Sequence, residues 1–545
     1  MQENKNKADF LSTGYALLIL AVIWLIPGLF GHDPWKADEP YSFGMVYHII
    51  TTGDWVVPTV AGEPFMEKPP LLYLTASIFA RLLYPIFPLH DGARAALAFF
   101  MIITFVFIAL SARELYGKGS GRIAVLILMG CIGLVNHAHK LMTDVSLLTG
   151  FAVAFFGLIL SRRNALLGGF FAGTGVGIGF MSKGLLAPGL IGIIAIVLPF
   201  WCREWRQKKY LVALAVAFIS VLPWLITWPL ALYLKAPELF KEWFWVQNFG
   251  RFFGYAHQGP ANAPGYYFLH LPYFAWPAFP LILFLVWHQY RTKKVQFFKS
   301  FPFAALMTML GIMSLASDAR VLYALPMLLP LSLLAVPAVD IFSEKALRIL
   351  NRTLTVIFSL LLFLCWLGWF ILQTGYPASI FKRLMLESPA HQPTLDFRFA
   401  LPAVLVTALF FVVSRSQQLS GKNLLFRWTA GLTVIWALLM TLWLPFIDDS
   451  RSYRSTFIDL KNAIPPGTHK FAGISLGESE RALLEYFADI RTVKFDREKP
   501  KSTDLLLVTT SRKNKSNVIG HEWQEIWQGS RPGHASELFV LYRLI

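Results

Sequence analysis

Long apolar runs recur along most of the chain and leave little choice of architecture. A run of about 17 to 25 apolar residues is long enough to cross a bilayer as a helix. Because lipid accepts only segments whose backbone is internally hydrogen-bonded, we expect an all-α polytopic membrane domain over residues 1–446. The about thirteen spans that we predict by this length criterion are 13–30, 95–112, 121–137, 144–160, 165–182, 184–201, 210–231, 268–287, 301–317, 321–341, 353–373, 399–414 and 427–446.

Composition agrees with a membrane protein. The 545 residues are 56% hydrophobic and only 15% charged, with a mean hydropathy of +0.53. A soluble protein of this size would expose much of that apolar surface to water. The formal net charge of +17 is expected to face anionic lipid, so no nucleic-acid partner is predicted. The three cysteines lie in or beside apolar runs without metal-ligand spacing, which indicates neither a disulfide framework nor a zinc site.

Basic residues predict the direction in which the chain crosses the membrane. Lys and Arg concentrate in the even-numbered connections between spans, whereas acidic residues concentrate in the odd-numbered ones. The positive-inside rule then places the N-terminus in the cytoplasm, and an odd number of spans places the C-terminus outside. The first run lacks a small-residue cleavage site, so we expect it to remain as an uncleaved span. The basic connections are 113–122, 162–163, 203–209, 291–299, 345–352 and 415–427.

Residues 447–545 differ from the rest of the chain. They are polar and contain short β-like runs at 470–475, 492–495, 504–509 and 537–542, with a helical pattern over 478–487. We therefore predict a small C-terminal α/β domain outside the membrane, on the side of the odd-numbered connections.

The first loop, residues 31–94, carries closely spaced charged pairs. Asp38-Glu39 opens its polar stretch, and Glu67-Lys68 closes it ahead of two prolines. The run 70–89 is interrupted by an arginine and several prolines, so we expect it to form helices along the membrane surface. Charged pairs of this density beside so many spans indicate a function.

Further polar residues gather in connections on the same predicted side of the membrane. Charges at membrane depth are costly and usually face a cavity. A cavity lined by carboxylates and cations suits an anionic lipid-linked substrate, since Lys and Arg hold phosphate and a carboxylate accepts a proton or stabilises positive charge. The residues concerned are Asp144, Lys183, Arg251, Asp318, Arg320 and Tyr323.

Each of these features also has a purely structural interpretation. An Asp-Glu pair just outside a span is more often solvated or a helix cap. Glu67-Lys68 fits a surface ion pair of little energetic value, and Lys183 fits a side chain that extends to the membrane interface. The alternate glycines of 173–179 lie inside an apolar span, so they indicate close helix packing rather than a nucleotide-binding loop.

Taken together, the motifs resemble those of the GT-C glycosyltransferases, specifically the aminoarabinose transferase / protein O-mannosyltransferase superfamily. The resemblance covers nearly the whole chain. Two departures stand out: Pro40-Tyr41-Ser42 replaces the usual aromatic or basic neighbours, and Gln247 stands where aminoarabinose transferases often carry Glu. The matching segments are Asp38-Glu39, Gly53-Asp54-Trp55-Val56-Val57-Pro58, Glu67-Lys68-Pro69-Pro70, His139 to Asp144, Met181-Ser182-Lys183-Gly184, Phe244 to Phe252 and Arg320 to Pro326.

The resemblance implies an inverting enzyme of the bacterial inner membrane. Such enzymes take a sugar from an undecaprenyl-phosphate carrier, and the aminoarabinose branch transfers it to a lipid A phosphate. The implied partners are therefore the carrier-linked sugar, lipid A or another envelope acceptor, and membrane lipid. No cofactor is certain. A divalent metal stays open because other GT-C enzymes use acidic residues in that way, although no tight ligand spacing is visible here.

The resemblance also implies roles for individual residues. The catalytic carboxylates would be Asp38, Glu67 and Asp144, of which Asp38 is the principal one and the other two shape the sugar and acceptor site. The carrier phosphate would be bound by Lys68, Arg251 and Tyr323. Further substrate contacts would come from Glu39, Lys183 and Arg320.

Two other functions stay open at this point. One is a protein O-mannosyltransferase-like enzyme, or another transferase that uses a polyprenyl-phosphate sugar. The second is a transporter or flippase for an isoprenoid-linked lipid. Transporters favour internal repeats and charges near the bilayer midplane, whereas this sequence shows no repeat and its charges cluster in the loops of one side.

Overall fold

The computed structural model describes residues 14–250, 255, 262–293, 296–389, 391–415, 418–466, 471–495, 504–511, 522–534 and 536–545. Helices dominate the first part of the chain. They are α1 (Gly14–Leu25), α2 (Asp38–Thr52), α3 (Leu71–Leu83), α4 (Leu89–Tyr116), α5 (Ser120–Met129), α6 (Ile132–His137), α7 (Thr143–Leu160), α8 (Ala165–Lys183), α9 (Leu186–Trp201), α10 (Lys208–Lys235), α11 (Pro237–Lys241), α12 (Tyr266–Phe274), α13 (Ala278–Arg291), α14 (Phe301–Leu315), α15 (Leu328–Ala335), α16 (Glu344–Thr374), α17 (Ala378–Met385), α18 (Phe397–Ser414), α19 (Gly421–Leu439), α20 (Leu444–Arg451), α21 (Arg454–Ala463) and α22 (Glu478–Ala488). A π-helical segment, Glu242–Gly250, follows α11, and 3₁₀ turns cover Arg203–Trp205, Phe297–Lys299, Val321–Met327 and Val336–Asp340.

Every predicted span coincides with a helix or a helix pair, so the chain is a multi-span membrane protein. Among the described residues, seven helical segments are long and apolar enough to cross a membrane, and two bent pairs raise the number to nine. The other four predicted spans fall on shorter apolar helices, namely α1, α5, α9 and α14. They are shorter than predicted because breaks interrupt the apolar runs. One such break is the turn between α5 and α6. In one of the two bent pairs, α12 and α13 are bent by 99° relative to each other.

Glycines allow α7 and α8 to pack with their backbones in contact. A Cβ atom added at Gly157 would lie 2.1 Å from the amide nitrogen of Ala172, and one added at Gly175 would lie 2.3 Å from that of Ala154. The predicted packing role of the alternate glycines is therefore confirmed. Because the two helices run in opposite directions, this contact brings the first turn of α7 beside the last turn of α8.

The first loop contains α2, a short hairpin and α3. The hairpin pairs β1 (Thr59–Val60) with β2 (Glu63–Pro64). Helix α2 ends at Gly53, whose φ of 73° is a conformation that glycine adopts without a steric penalty. The Asp54 side chain then accepts hydrogen bonds from the amides of Val56 and Val57, which gives the Gly-Asp-Trp segment a structural role. The first loop is therefore structured along most of its length, with two helices and a hairpin between α1 and α4.

The C-terminal region forms an α/β domain, as predicted. Its five-stranded sheet has the order β4-β3-β5-β7-β6. Strand β3 is parallel to both β4 and β5, whereas β7 is antiparallel to β5 and β6. Strand β6 was missed by the sequence pattern because its polar residues place it at an exposed edge. The strands are β3 (Phe471–Ile474), β4 (Val493–Lys494), β5 (Leu505–Ser511), β6 (Trp523–Gly529) and β7 (Glu537–Leu544).

Helices α21 and α22 pack on this sheet around a buried core. The core includes Phe457, Leu483, Leu505 and Phe539. The sequence predicts a domain boundary after residue 446. In the structure, helix α20 continues across that position. A second side of α22 packs against α2 of the first loop.

Candidate active site

Three side chains at the start of α2 and α3 form a hydrogen-bonded chain. Asp38 is the first residue of α2, and its Oδ1 accepts a hydrogen bond of 2.9 Å from the hydroxyl of Tyr41, one turn along the helix. The Nζ of Lys68 donates to the same hydroxyl oxygen, also at 2.9 Å. A cation and a carboxylate are thereby held at a fixed separation by one phenol.

A second group lies where α7 begins and α8 ends. The Nζ of Lys183 donates to Oδ1 of buried Asp144 at 2.5 Å, and it lies 4.3 Å from the centre of the Tyr323 ring. Two residues after Lys183, the amide of Leu185 donates to Oδ1 of Asn248 in the π-helical segment. The close packing of α7 and α8 therefore places this ion pair, and Asn248 fixes the turn that follows it.

The two groups are close enough to interact electrostatically. Burial alone would lower the pKa of Lys68, but Tyr73 and the carboxylates of Glu67, Asp144 and Asp38 together raise it above its ordinary value. Burial and the same carboxylates raise the pKa of Tyr41, which keeps its hydroxyl protonated at neutral pH. We call Asp38, Tyr41, Glu67, Lys68, Asp144, Lys183 and Tyr323 the carboxylate–lysine cluster.

Glu39 faces away from this cluster into a buried ion pair. Its Oε1 accepts from Nε of Arg94 at 2.6 Å, and its Oε2 accepts from the amide of Trp35 at 3.1 Å. Arg94 also donates to Asp91 at 2.7 Å and to the carbonyl of His32 at 2.9 Å. Burial alone would raise the pKa of Glu39, but Arg94 and His32 hold it below its ordinary value.

This ion pair gives Glu39 a structural function. Both Glu39 and Arg94 are almost fully buried, with exposed fractions of 4% and 1%. Removing one partner of such a pair leaves an uncompensated charge and costs about 3–5 kcal/mol. The pair fixes α2 against α4 directly beside Asp38, and both carboxyl oxygens of Glu39 accept hydrogen bonds inside the protein.

The remaining predicted site residues are placed as follows. Glu67 and Arg320 are half-buried. The amide of Tyr323 donates to the carbonyl of Arg320 at 3.0 Å, so both residues belong to the turn that opens the Val321–Met327 segment. Arg251 lies outside the described residues.

Two residues were not predicted for the site from the sequence. Tyr41 stands in Pro40-Tyr41-Ser42, which departs from the family pattern, and that departure was the available signal. Arg94 stands at the edge of an apolar run, where an unexplained charge usually has a buried partner. Neither partner could be read from sequence spacing, because Arg94 lies 55 residues from Glu39 and Lys68 lies 27 residues from Tyr41.

The described residues contain no group of three or more His, Cys, Asp or Glu side chains that could hold a metal ion. Within the cluster, Asp144 is paired with a lysine and Asp38 with a phenol, which occupy positions that metal ligation would need. The residues present therefore do not fit a divalent metal, and no step of the chemistry below is assigned to one.

The fold agrees with the GT-C glycosyltransferase superfamily that the sequence resembles. The fold matches the solved structures of ArnT from Cupriavidus metallidurans. The ArnT structure bound to undecaprenyl phosphate has a TM-score of 0.70 and 13% sequence identity, with 97% of each chain covered. The apo ArnT structure has a TM-score of 0.68 and 14% identity, covering 97% of this chain and 98% of that one.

Sequence comparisons point to the same superfamily. Residues 67–228 match the family model described as dolichyl-phosphate-mannose-protein mannosyltransferase. The undecaprenyl phosphate-alpha-4-amino-4-deoxy-L-arabinose arabinosyl transferase of Pseudomonas aeruginosa (strain UCBPP-PA14) is 28% identical over 341 residues, which are 59% of this chain and 58% of that protein. The protein of the same name from Serratia proteamaculans (strain 568) is 27% identical over 384 residues, 67% of this chain and 66% of that one. The predicted resemblance to aminoarabinose transferases is confirmed.

We expect Tyr41→Phe to lower turnover roughly tenfold, because it removes the hydroxyl that joins Lys68 to Asp38 and each lost hydrogen bond is worth about 1 kcal/mol or more beside a charge. The aromatic ring stays in place, so the yield of folded protein should not change. Tyr47→Phe is the matched control, since Tyr47 lies on the same helix but packs against Tyr486. Sugar-transfer rates of the two variants and of wild type, measured under the same conditions, show whether the Tyr41 hydroxyl contributes to turnover. Equal rates for both variants would contradict a role for the Tyr41 hydroxyl.

Proposed function

We propose that this chain is an inverting glycosyltransferase that moves a sugar from an undecaprenyl-phosphate carrier to lipid A or another envelope acceptor. The sugar would be 4-amino-4-deoxy-L-arabinose or a related one. The observation that carries the proposal is the carboxylate–lysine cluster, which lies in a fold shared with an enzyme that was solved with undecaprenyl phosphate bound. Two lysines and two tyrosines in this cluster suit a phosphate, and three carboxylates suit a sugar.

The reaction breaks the bond between the anomeric carbon of the sugar and the phosphate oxygen of the carrier. A new bond forms between that carbon and an acceptor oxygen that approaches from the opposite face, and undecaprenyl phosphate leaves with the electron pair. Lys68 and Tyr323, together with Arg251, are proposed to bind the carrier phosphate and to stabilise the negative charge that grows there. The Lys68–Tyr41–Asp38 chain then fixes the distance between the phosphate and the Asp38 carboxylate.

The part played by Asp38 depends on the acceptor. A phosphate acceptor such as that of lipid A is already ionised, so Asp38 would stabilise the positive character that develops at the sugar. A hydroxyl acceptor carries a proton that must be removed, and Asp38 would then act as the base. Asp144 and Glu67 are proposed to line the sugar and acceptor site, with Lys183 paired to Asp144. Glu39 is proposed to hold α2 in place, instead of the substrate contact inferred from sequence.

A mass-spectrometric transfer assay tests the function. Purified protein in detergent is incubated with undecaprenyl-phosphate aminoarabinose and with either lipid A or bacterial envelope protein as acceptor, and each acceptor is examined for added sugar. Sugar on the lipid A phosphate would support the proposal, and sugar on a protein acceptor would favour the mannosyltransferase-like alternative suggested by the family match to residues 67–228. Movement of the carrier-linked sugar across a vesicle membrane without transfer would establish the flippase instead.

We also propose the inner membrane as the location, with residues 447–545 and the first loop in the periplasm and the N-terminus in the cytoplasm. Support comes from the distribution of Lys and Arg among the loops. A phosphatase fused after Ser475, in the loop that follows β3, is expected to be active because it would be exported. A fusion in the basic connection 203–209 serves as the opposite control and should be inactive. Activity with the reverse distribution would overturn the proposed orientation.

A further inference from the structure

The two residues before Asp38 are held by the C-terminal domain. The Nζ of Lys36 donates to Glu480 at the start of α22, and it also donates to Oε1 of Glu537 on β7 at 3.0 Å. The carbonyl oxygen of Ala37 accepts a hydrogen bond of 2.6 Å from the hydroxyl of Ser479. The two acidic side chains are only 5% and 10% exposed, whereas the Lys36 side chain is 37% exposed, so the ion pairs lie at the edge of the contact between the first loop and the C-terminal domain.

Helix α2 has no side-chain cap at its N-terminus, so contacts from outside the helix bear directly on its first turn. Ala37 occupies the N-cap position and makes no capping hydrogen bond through its side chain. Asp, Asn, Ser or Thr usually fills this position and fixes the first turn. Here the hydroxyl of Ser479 in the C-terminal domain holds the backbone at Ala37, the residue that directly precedes Asp38.

The flank of α2 is also fitted to α22. Gly44 of α2 faces Ala482 of α22 so closely that a Cβ added to the glycine would lie 2.8 Å from the alanine Cβ. One turn further on, the Tyr486 ring packs edge-on against Phe43, with 4.7 Å between ring centres. The Tyr486 hydroxyl is 2.9 Å from Nδ1 of His90 in α4. These contacts restrict sliding of α2 along α22.

Other contacts fasten the same loop on both sides of α2. Before the helix, Asp33 pairs with Arg454 and accepts from the hydroxyl of Ser452 at 2.6 Å. After it, Glu63 of the hairpin pairs with Arg481 of α22 at 2.7 Å. The loop that carries Asp38 is therefore clamped to the C-terminal domain at its start, at the helix and at the hairpin.

We infer that Lys36 and Ser479 are positioning residues, through which the C-terminal domain sets the place of Asp38 for the transfer reaction. They lie outside the carboxylate–lysine cluster and act through the backbone that leads into α2. The inference rests on the proposed function, since Asp38 must be the reacting carboxylate for its position to matter. A displacement of about 1 Å at a reacting group is enough to cost roughly a hundredfold in rate.

We expect Lys36→Gln and Ser479→Ala each to lower kcat about tenfold while changing the KM for the carrier less than about twofold, because the phosphate-binding cations are not displaced. A charge swap tests whether the ion pair itself matters. Lys36→Glu alone and Glu480→Lys alone should be at least as damaging, since each places like charges together. The double variant should regain part of the rate, because it restores the ion pair between positions 36 and 480, while Glu537 remains beside the new glutamate.

A matched control breaks a hydrogen bond inside the C-terminal domain. The indole Nε1 of Trp527 on β6 donates to Oδ2 of Asp459 on α21 at 2.8 Å, in a contact that does not involve the first loop. Asp459→Ala should therefore leave kcat within about twofold of wild type. A tenfold loss in this control, or no recovery in the double variant, would overturn the inference in favour of general destabilisation.

Amide hydrogen exchange separates this inference from the proposed function. Lys36→Gln and Ser479→Ala should each speed exchange over residues 38–44, while exchange in the buried α7 stays unchanged. This readout needs no substrate, so it tests the clamp even if the wild-type protein transfers no aminoarabinose. An absence of transfer by wild type would refute the proposed function, whereas unchanged exchange over residues 38–44 would refute the clamp.

Discussion

Asp38→Asn is expected to lower turnover at least about a hundredfold, in line with the contribution of a general base or a charge-stabilising carboxylate. Asparagine keeps the size of the side chain and can still accept a hydrogen bond from Tyr41, so folding should not suffer. Affinity for the carrier should change far less, because the residues proposed to bind its phosphate are cations elsewhere in the site. Losing an anion near Lys68 would, if anything, favour phosphate binding. Membrane yield, carrier affinity and transfer rate are measured on the same preparation.

Glu39→Gln is the natural control for Asp38→Asn, since the two carboxylates are neighbours in sequence with different surroundings. Glu39 is paired with buried Arg94, so its loss should reduce yield and thermal stability. Turnover per folded molecule should fall less than in Asp38→Asn. Wild-type transfer by Asp38→Asn would remove Asp38 from the mechanism, and equal losses of turnover per folded molecule in both variants would indicate a shared role.

Lys68→Ala is expected to weaken binding of undecaprenyl phosphate about ten- to hundredfold, because a desolvated contact to a charged group is worth about 1.5–3 kcal/mol. Folding should be affected less than binding. Arg251→Ala should act in the same direction if its side chain reaches the same phosphate. Affinity is measured by displacement of a labelled carrier from protein in nanodiscs, at one stated salt concentration.

A second lysine near the first loop provides the control for Lys68. Lys235 at the end of α10 pairs with Asp54 at 2.9 Å, and its side chain is 49% exposed. Lys235→Ala removes one positive charge from the neighbourhood of the first loop without touching the carboxylate–lysine cluster. It should bind the carrier as wild type does. If Lys68→Ala binds equally well, Lys68 does not contact the phosphate.

The sequence predicted those features that depend on local composition. Apolar runs located the helices, since lipid demands uninterrupted hydrophobic segments of a minimum length. Alternate glycines inside such a run predicted close helix packing, although not which helix is the partner. Glu67-Lys68 and Asp144 were identified from motif resemblance, and the structure places them close enough to interact.

Features that depend on contacts between residues far apart in the chain could not be predicted from the sequence. Asp38 and Glu39 are adjacent and chemically alike, yet one faces the cluster and the other faces Arg94. Successive residues of a helix are about 100° apart, so neighbours point in different directions, and only the packed structure decides which direction is the buried one. The packing of α22 on α2 could not be predicted for the same reason, since the sequence pattern of neither helix identifies the helix that it packs against.

The long separation between Asp38 and its clamp has a consequence for biosynthesis. Lys36 and Glu537 are 501 positions apart in the chain. At roughly 5–20 residues per second, the ribosome needs on the order of 25–100 s after making the first loop before it completes the partner strand. During this time the first loop lacks its contacts with the C-terminal domain. A chain whose synthesis stops early would contain most of its membrane spans but would lack the partner of α2. We therefore expect such a truncated chain to be inactive.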